Sequence, residues 1–255
     1  MPEGDTVYLT AKNLATVLGG RELVRCDIRV PAYATVDLTG GRVDEVVSRG
    51  KHLLTRVGDH TIHTHLKMEG SWHIYRQGAR WRRPAWQARI VLANAEWETV
   101  GFQLGIVEVL PRSAEAAALG HLGPDLLGPD WDARVALQRL LANPDAPIGA
   151  AILDQSIMAG LGNVYRNELC FLRGVLPSRP VREVPEPDRL IDLAHRLIDA
   201  NKNRPGRTTT GTLRGATSWV YGRAGKPCLR CGTTILLRSA GDPPRDTFWC
   251  PHCQT

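Results

Sequence analysis

The four cysteines near the end of the chain constrain it most. Cys228-Leu229-Arg230-Cys231 and Cys250-Pro251-His252-Cys253 form two C-x-x-C pairs enclosing residues 232–249. This is the spacing of a four-cysteine zinc site, in which thiolates close a tetrahedral shell and leave no open position for chemistry. One structural Zn²⁺ per chain is therefore expected, held by Cys228, Cys231, Cys250 and Cys253. Disulfides are the competing reading, but they belong to oxidising compartments. The N-terminus has no basic region followed by an apolar core, as an export signal would require. No apolar run approaches the roughly 20 residues of a membrane span, so a cytoplasmic protein is expected. Between the cysteine pairs, residues 233–238 and 247–249 can pair as a hairpin with Arg245 near its tip. An exposed guanidinium there suits a phosphate, or is a plain surface charge. Cys26 and Cys170 stand apart in apolar surroundings and read as small core residues.

The opposite end, Met1-Pro2-Glu3-Gly4-Asp5, suggests chemistry. With Met1 removed, Pro2 exposes a secondary amine near the α-amino range of about 7.7 to 8.0. Such an amine is partly neutral at cellular pH and can attack an aldehyde-like carbon to form an iminium. Glu3 beside it can move protons. The plainer reading is a chain start followed by a solvated charge. Val7, Ala11, Leu14, Ala15 and Leu18 then recur at helical spacing before Gly19-Gly20, with Asp5 or Thr6 as the expected N-cap. The helix dipole disfavours protonation of an amine at that end.

From residue 23 to about residue 111 the pattern becomes short strands punctuated by glycine: 23–30, 43–48, 52–57, 61–66, 71–75, 87–92 and 106–110. Successive strands without intervening helices predict an antiparallel sandwich or barrel. Lys51 follows Gly50 at a strand boundary, where the bend lets it project; alone, it reads as a solvated charge. His63 and His65 alternate along a strand and share one face, with no third and fourth ligand to make a metal site. Met68, before Glu69-Gly70, falls on a turn, and an apolar wedge of this kind can fill a gap in a base stack.

The breaker-rich residues 123–130 read as a linker, and helices are expected at 132–141, 148–158, 163–172 and 187–201. Gly160-Leu161-Gly162-Asn163 forms a turn before a helix start, which serves either as a plain connection or as a phosphate site. Residues 201–214 interleave Lys202, Arg204, Arg207 and Arg214 with threonines, an exposed basic loop ordered by a ligand on this reading. The chain's net charge of +6 fits a polyanionic partner.

Taken together, these motifs resemble the formamidopyrimidine-DNA glycosylase and endonuclease VIII family along essentially the whole chain. The match rests on Met1-Pro2-Glu3-Gly4, Arg49-Gly50-Lys51, His65-Leu66-Lys67-Met68-Glu69-Gly70, Leu122-Gly123-Pro124-Asp125, Leu153-Asp154-Gln155, Gly160-Leu161-Gly162-Asn163, Val220-Tyr221-Gly222-Arg223 and Trp249-Cys250-Pro251-His252-Cys253-Gln254. The resemblance implies an α+β multidomain fold. An N-terminal helix and antiparallel β-sandwich would occupy residues 1–122, a linker 123–131, a helix-two-turns-helix DNA-binding domain 132–214 and a zinc-finger hairpin 215–255, with DNA in the cleft between the halves. It implies a base-excision repair glycosylase with AP lyase activity, acting as a monomer on damaged DNA with no small-molecule cofactor, in a bacterial cytoplasm at the nucleoid. By this likeness Pro2 attacks C1′, Glu3 handles protons, Lys51 acts in β-elimination, Asn163 holds a phosphate, and Arg245 binds phosphate and assists δ-elimination. Met68 is the wedge.

Two departures stand out. Asp5-Thr6 follow Gly4 where the family carries Pro-Glu. Phe102-Gln103-Leu104-Gly105 stands where one branch has Arg-x-Phe-Gly, so Gln103 and Leu104 replace the usual wedge partners and the opposite-base arginine is missing. The opening and the ending are more like endonuclease VIII, implying oxidised pyrimidines as substrates and oxidised purines as the second reading. A zinc-dependent binder of damaged or abasic DNA without catalysis is the alternative from another class.

Overall fold

The computed structural model describes residues 2–240 and 244–255, and the chain divides into two compact units after His121. In the first, helix α1 (Gly4–Leu18) precedes eight strands: β1 (Arg25–Ile28), β2 (Val43–Arg49), β3 (His52–Val57), β4 (His60–His65), β5 (Ser71–Arg76), β6 (Ala88–Ala93), β7 (Trp97–Phe102) and β8 (Ile106–Pro111). A short helix α2 (Glu115–Leu119) follows. The strands form two antiparallel four-stranded sheets, ordered β1-β6-β7-β5 and β2-β3-β4-β8. Val7, Leu14 and Leu18 of α1 share a core with Leu53 and Ile62 of one sheet and Ile90 and Leu92 of the other. Alternation along the strands explains this, since every second residue faces the shared interior.

Strand β7 is the element that the strand pattern missed. It pairs with both β5 and β6 and so lies inside its sheet. Its residues 98–102 are all buried, and burial on both faces erases the alternation that marks a one-sided strand.

The second unit packs α3 (Ala133–Leu141), α4 (Ile148–Leu153), α5 (Asn163–Leu172) and α6 (Pro187–Asp199), followed by the hairpin β9 (Leu236–Ala240) and β10 (Arg245–Trp249). Leu140, Ile152, Tyr165, Leu169 and Ile198 are completely buried in its core. Helix α3 begins where Asp132 caps it, the carboxylate accepting from the Arg134 and Val135 N–H groups. The helix expected over 148–158 stops at Leu153. The Asp154 carboxylate accepts from the Ser156 N–H at 2.8 Å and its hydroxyl at 2.6 Å, a local turn that competes with helix continuation.

The stretch read as a linker begins inside the second unit. Leu126 is fully buried, its N–H donates to the Ala159 carbonyl, and the Ala159 N–H donates to the Pro124 carbonyl. The loop after α6 is held by its own side chains. Asn201 donates to the Leu197 and Thr208 carbonyls and accepts from the Thr208 N–H, while Arg207 lies over the Tyr165 ring. Cys170 is fully buried and its thiol is pushed up to about 12 by burial, as an inert core residue should be. Among the described residues no helix is long and apolar enough to cross a membrane.

Candidate functional site

In the first unit the chain enters α1 through Pro2 and Glu3. Glu3, not Asp5 or Thr6, occupies the N-cap position: its backbone is extended and its carbonyl accepts from the Val7 N–H at 3.0 Å. Asp5 lies within the first helical turn, where a carboxylate complements the dipole, and it accepts from the Thr6 N–H at 2.7 Å. Glu3 is fully buried and Pro2 is partly exposed. Met1 lies outside the described residues, and with it the expectation about its removal.

Topology sets where this helix start points. Helix α1 packs chiefly along β2, and the Gly20 N–H, just past the helix end, donates to the Val43 carbonyl at the strand's beginning. Fifteen helical residues span about 22 Å and seven strand residues about 23 Å. The two therefore run in opposite senses, and Pro2 and Glu3 lie towards the Arg49–Lys51 end of β2. Gly50, with φ 57°, makes the turn that carries Lys51.

Strand register gathers further residues at that end. His52 faces His65 across β3 and β4, and His65 faces Ile106 on β8. The β2–β3 turn bearing Lys51, the turn bearing Met68 and the turn at 103–105 thus share one end of one sheet. Met68 is 59% exposed at its tip. Its neighbour Lys67 has φ 52° and Gln103 has φ 48°, a left-handed conformation costly for side chains of this size. The two turns pack closely: a Cβ on Gly105 would lie 2.2 Å from the Lys67 Cγ. Leu104, expected beside Gln103 in place of the usual wedge partners, does not reach the surface. It is 5% exposed, belongs to the core and packs over Gly101.

Beside Lys51 lies a histidine cluster that sequence reading found only in part. His52 Nδ1 and His63 Nε2 are 2.8 Å apart, His63 Nδ1 is 3.0 Å from Glu108 Oε2, and the His65 and His121 rings approach His52 edge-on. Burial, followed by repulsion from neighbouring imidazoles, pushes His52 down to about 3. Burial, followed by Lys67 and Lys51, pushes His65 down to about 4. Both are neutral near pH 7. His52 meets His65 directly and His63 diagonally only because β3 pairs with β4, and His121 arrives from outside the sheet, so no sequence window contains the group.

In the second unit, Gln155 closes the turn between α4 and α5. Its amide donates to the Leu153 and Leu161 carbonyls and accepts from the Gly160 N–H. This fixes Asn163 at the first turn of α5, where its Nδ2 donates to the Asp246 carbonyl at 2.9 Å. Arg166 donates to the same carbonyl and to Thr247 Oγ1, and the Phe248 N–H donates to Asn167 Oδ1. One face of α5 therefore holds β10 just beyond Arg245, which is exposed at the strand's first residue.

Glu168, fully buried, organises the approach to the hairpin. Its carboxylate accepts from the backbone N–H groups of Trp219, Val220 and Tyr221 and from the Thr209 hydroxyl. Sequence reading missed this hub, although polar residues at 163, 166 and 167 on a helix with buried neighbours are the trace it leaves. A groove of about 840 Å³ runs beside the hairpin, lined by Arg166, Arg238, Arg245 and Trp249. Pro2 and Lys51 are not among its lining residues.

The cysteine sulfurs of Cys228, Cys231, Cys250 and Cys253 all lie within 4.8 Å of one another, with Cys228–Cys253 at 4.0 Å and Cys231–Cys250 at 3.5 Å. Four sulfurs about 2.3 Å from a tetrahedral Zn²⁺ would be about 3.8 Å apart, so this donor set fits the ion with adjustments of about 1 Å or less.

Comparison with known proteins follows the same division. Residues 1–102 match the formamidopyrimidine-DNA glycosylase N-terminal domain, 122–200 that family's H2TH domain, and 225–255 the zinc finger found in FPG and IleRS. The chain is 54% identical to the "Probable endonuclease 8 2" of Streptomyces coelicolor, across 100% of this chain and 94% of that protein. It is also 54% identical to the "DNA-(apurinic or apyrimidinic site) lyase Nei2" of Mycolicibacterium smegmatis, covering 100% and 99%. The fold matches a structure of MutM in complex with carbocyclic 8-oxo-G containing DNA, with a TM-score of 0.84 at 22% identity over the whole of both chains.

Proposed function

The chain belongs to the formamidopyrimidine-DNA glycosylase and endonuclease VIII family, and from that premise we infer a base-excision repair glycosylase with AP lyase activity that works through an N-terminal proline amine. The observation that carries this reading is the convergence of Pro2 and Glu3 on the end of the sheet that bears Lys51, argued from the α1–β2 tie and the strand register.

With Met1 removed, the Pro2 nitrogen attacks C1′ of the damaged nucleoside and the base leaves with a proton. Glu3, beside the amine, handles protons during base loss and ring opening. The resulting iminium is an electron sink that acidifies the C2′ hydrogens, so a weak base suffices to start elimination. Lys51 acts there, and loss of the 3′ phosphate completes the β step. Arg245 binds phosphate and assists the δ step that expels the 5′ phosphate. Asn163, held beside β10, belongs to the same phosphate site, where contacts fix register without reading sequence. Zn²⁺ bound by the four cysteines would hold the hairpin that presents Arg245, and supplies no chemistry to the reaction.

Likeness to the endonuclease 8 proteins supports oxidised pyrimidines as the substrate class and bacterial DNA at the nucleoid as the place of work. The test is borohydride trapping on abasic DNA and on a panel of oxidised pyrimidines and purines. A covalent protein–DNA adduct is expected from processed protein, and none from Pro2→Gly or from protein retaining Met1. Salt-sensitive binding without any adduct would instead identify a non-catalytic binder.

A further inference from the structure

The groove of about 840 Å³ beside the hairpin lies wholly within the second unit, and its apolar lining has no part in the proposed reaction. One wall is a face of the hairpin. Directly opposed residues of paired strands share a side, so Arg238 sits beside Thr247, with Arg245 and Trp249 two residues away on the same face. The other wall is the outer face of α4, where Ile148, Ala151 and Ile152 lie in the core and Ala150 and Leu153 turn outwards. Both walls are tied down. The Gly149 N–H donates to the Pro177 carbonyl at 2.8 Å, and a Cβ on Gly149 would lie 2.9 Å from the Pro177 Cβ. On the hairpin side, Arg166 Nη2 donates to Thr247 Oγ1 at 2.8 Å.

We propose that this groove binds a segment of a partner protein in which acidic residues flank an apolar anchor. The lining argues for that chemistry in two ways. Leu153, Leu176 and Trp249 keep partial exposure and belong to no core cluster, so apolar surface is left for an anchor side chain to cover. Arg238 and Arg245 are exposed, and neither pairs with a carboxylate among the described residues. With Arg166 they set three guanidiniums against a single lining acid, Asp154, an excess that carboxylates complement as fork-shaped partners. The Asp154 Oδ1 is engaged by Ser156, whereas its Oδ2 makes no hydrogen bond among the described residues and can accept from a peptide N–H. A nucleotide suits this groove less well, because bases stack on aromatic rings and Trp249 is the one aromatic residue in the lining.

Arg245 belongs both to this groove and to the phosphate site of the proposed reaction, so peptide and DNA should exclude one another. That consequence rests on the glycosylase reading; peptide binding itself does not, and is measured first without DNA. Fluorescence anisotropy follows a labelled hexapeptide with blocked ends, made of three aspartates, two leucines and a phenylalanine. Saturable binding to the zinc-loaded protein is expected. Replacing the aspartates by asparagines, or the apolar residues by alanines, should weaken it about tenfold or more, the scale of one lost charge-assisted contact or one anchor side chain. Ala150→Trp, which fills the groove from α4, and Arg238→Glu, which reverses charge on the facing wall, should each do the same. Both sites are exposed, and melting curves check that the fold is kept. No saturable binding, control peptides that bind as well as the acidic one, folded variants that bind like wild type, or tighter binding of adenosine monophosphate than of the peptide would each overturn the assignment. Abasic DNA is added last. A peptide that fills the groove but leaves DNA affinity unchanged would remove Arg245 from the phosphate site and leave the groove's ligand standing.

Discussion

In the first unit the candidate chemistry sits on turns, at strand ends and before a helix; in the second it is bolted to one buried helix face. Pro2, Lys51 and Met68 are at least partly exposed, and none belongs to a hydrophobic core. Asn163, Arg166, Asn167 and Glu168 are buried, and their polar atoms hold the hairpin and the turn-forming segment that precedes it. The difference separates two kinds of failure. Damage to the first unit's site should remove chemistry from an intact fold, whereas damage to the second's should remove fold and binding together.

The largest expected effect tests the first half of that contrast. Protein retaining Met1 carries the Pro2 nitrogen as a tertiary amide, without a nucleophilic lone pair, so strand cleavage should fall by about a thousandfold or more. Its unfolding midpoint should match that of processed protein, because Pro2 lies outside the helix and the core. An equal loss of stability would erase the contrast. Intact-mass spectrometry of the N-terminus and a melting curve decide it.

Zinc removal tests the other half. Chelation should free the cysteine thiols to titration and abolish binding to abasic DNA, since the four sulfurs close the base of the hairpin that carries Arg245. Hydrogen exchange should rise in β9 and β10 while the first unit's strands stay protected. Glu168→Ala comes next in size. It leaves three backbone N–H groups and the Thr209 hydroxyl without their shared acceptor in a buried site, each left unsatisfied at a cost of about 1–3 kcal/mol. Glu168→Gln should retain part of this, because one amide oxygen still accepts. DNA affinity should fall in proportion to the unfolded fraction, which denaturant titration measures.

The same contrast explains what the sequence made legible. The zinc ligands announce themselves because metal geometry demands two close pairs, whereas the glycine turn before Asn163 reads in isolation as a plain connection and gains a role only from the family likeness. Most strands of the first unit also show their alternation. Strand β7 does not, being buried throughout, and neither does the histidine cluster, whose members meet through register and tertiary packing. Glu168 is hidden for a different reason: a charged residue in a helix reads as solvent-facing until the segment that caps it is known.

The smallest predicted effect is on pH, and it belongs to the first unit. His52 and His65 are held neutral, with folded-state values of about 3 and about 4 against an ordinary 6.5. Between these limits the unfolded chain binds more protons than the folded one, so stability rises with pH across the window. The contribution is complete above about pH 6.5 and is lost as pH falls towards 4 and then 3. Both rings keep some solvent access, and screening cuts the effect to on the order of 1 kcal/mol between about pH 7 and pH 5. A urea midpoint that drops over this interval, and drops less in His52→Asn, is the expected result. An unchanged slope in that variant would place the proton uptake elsewhere, and would mean that the imidazoles beside Lys51 are solvated rather than held in the dry end of the sheet.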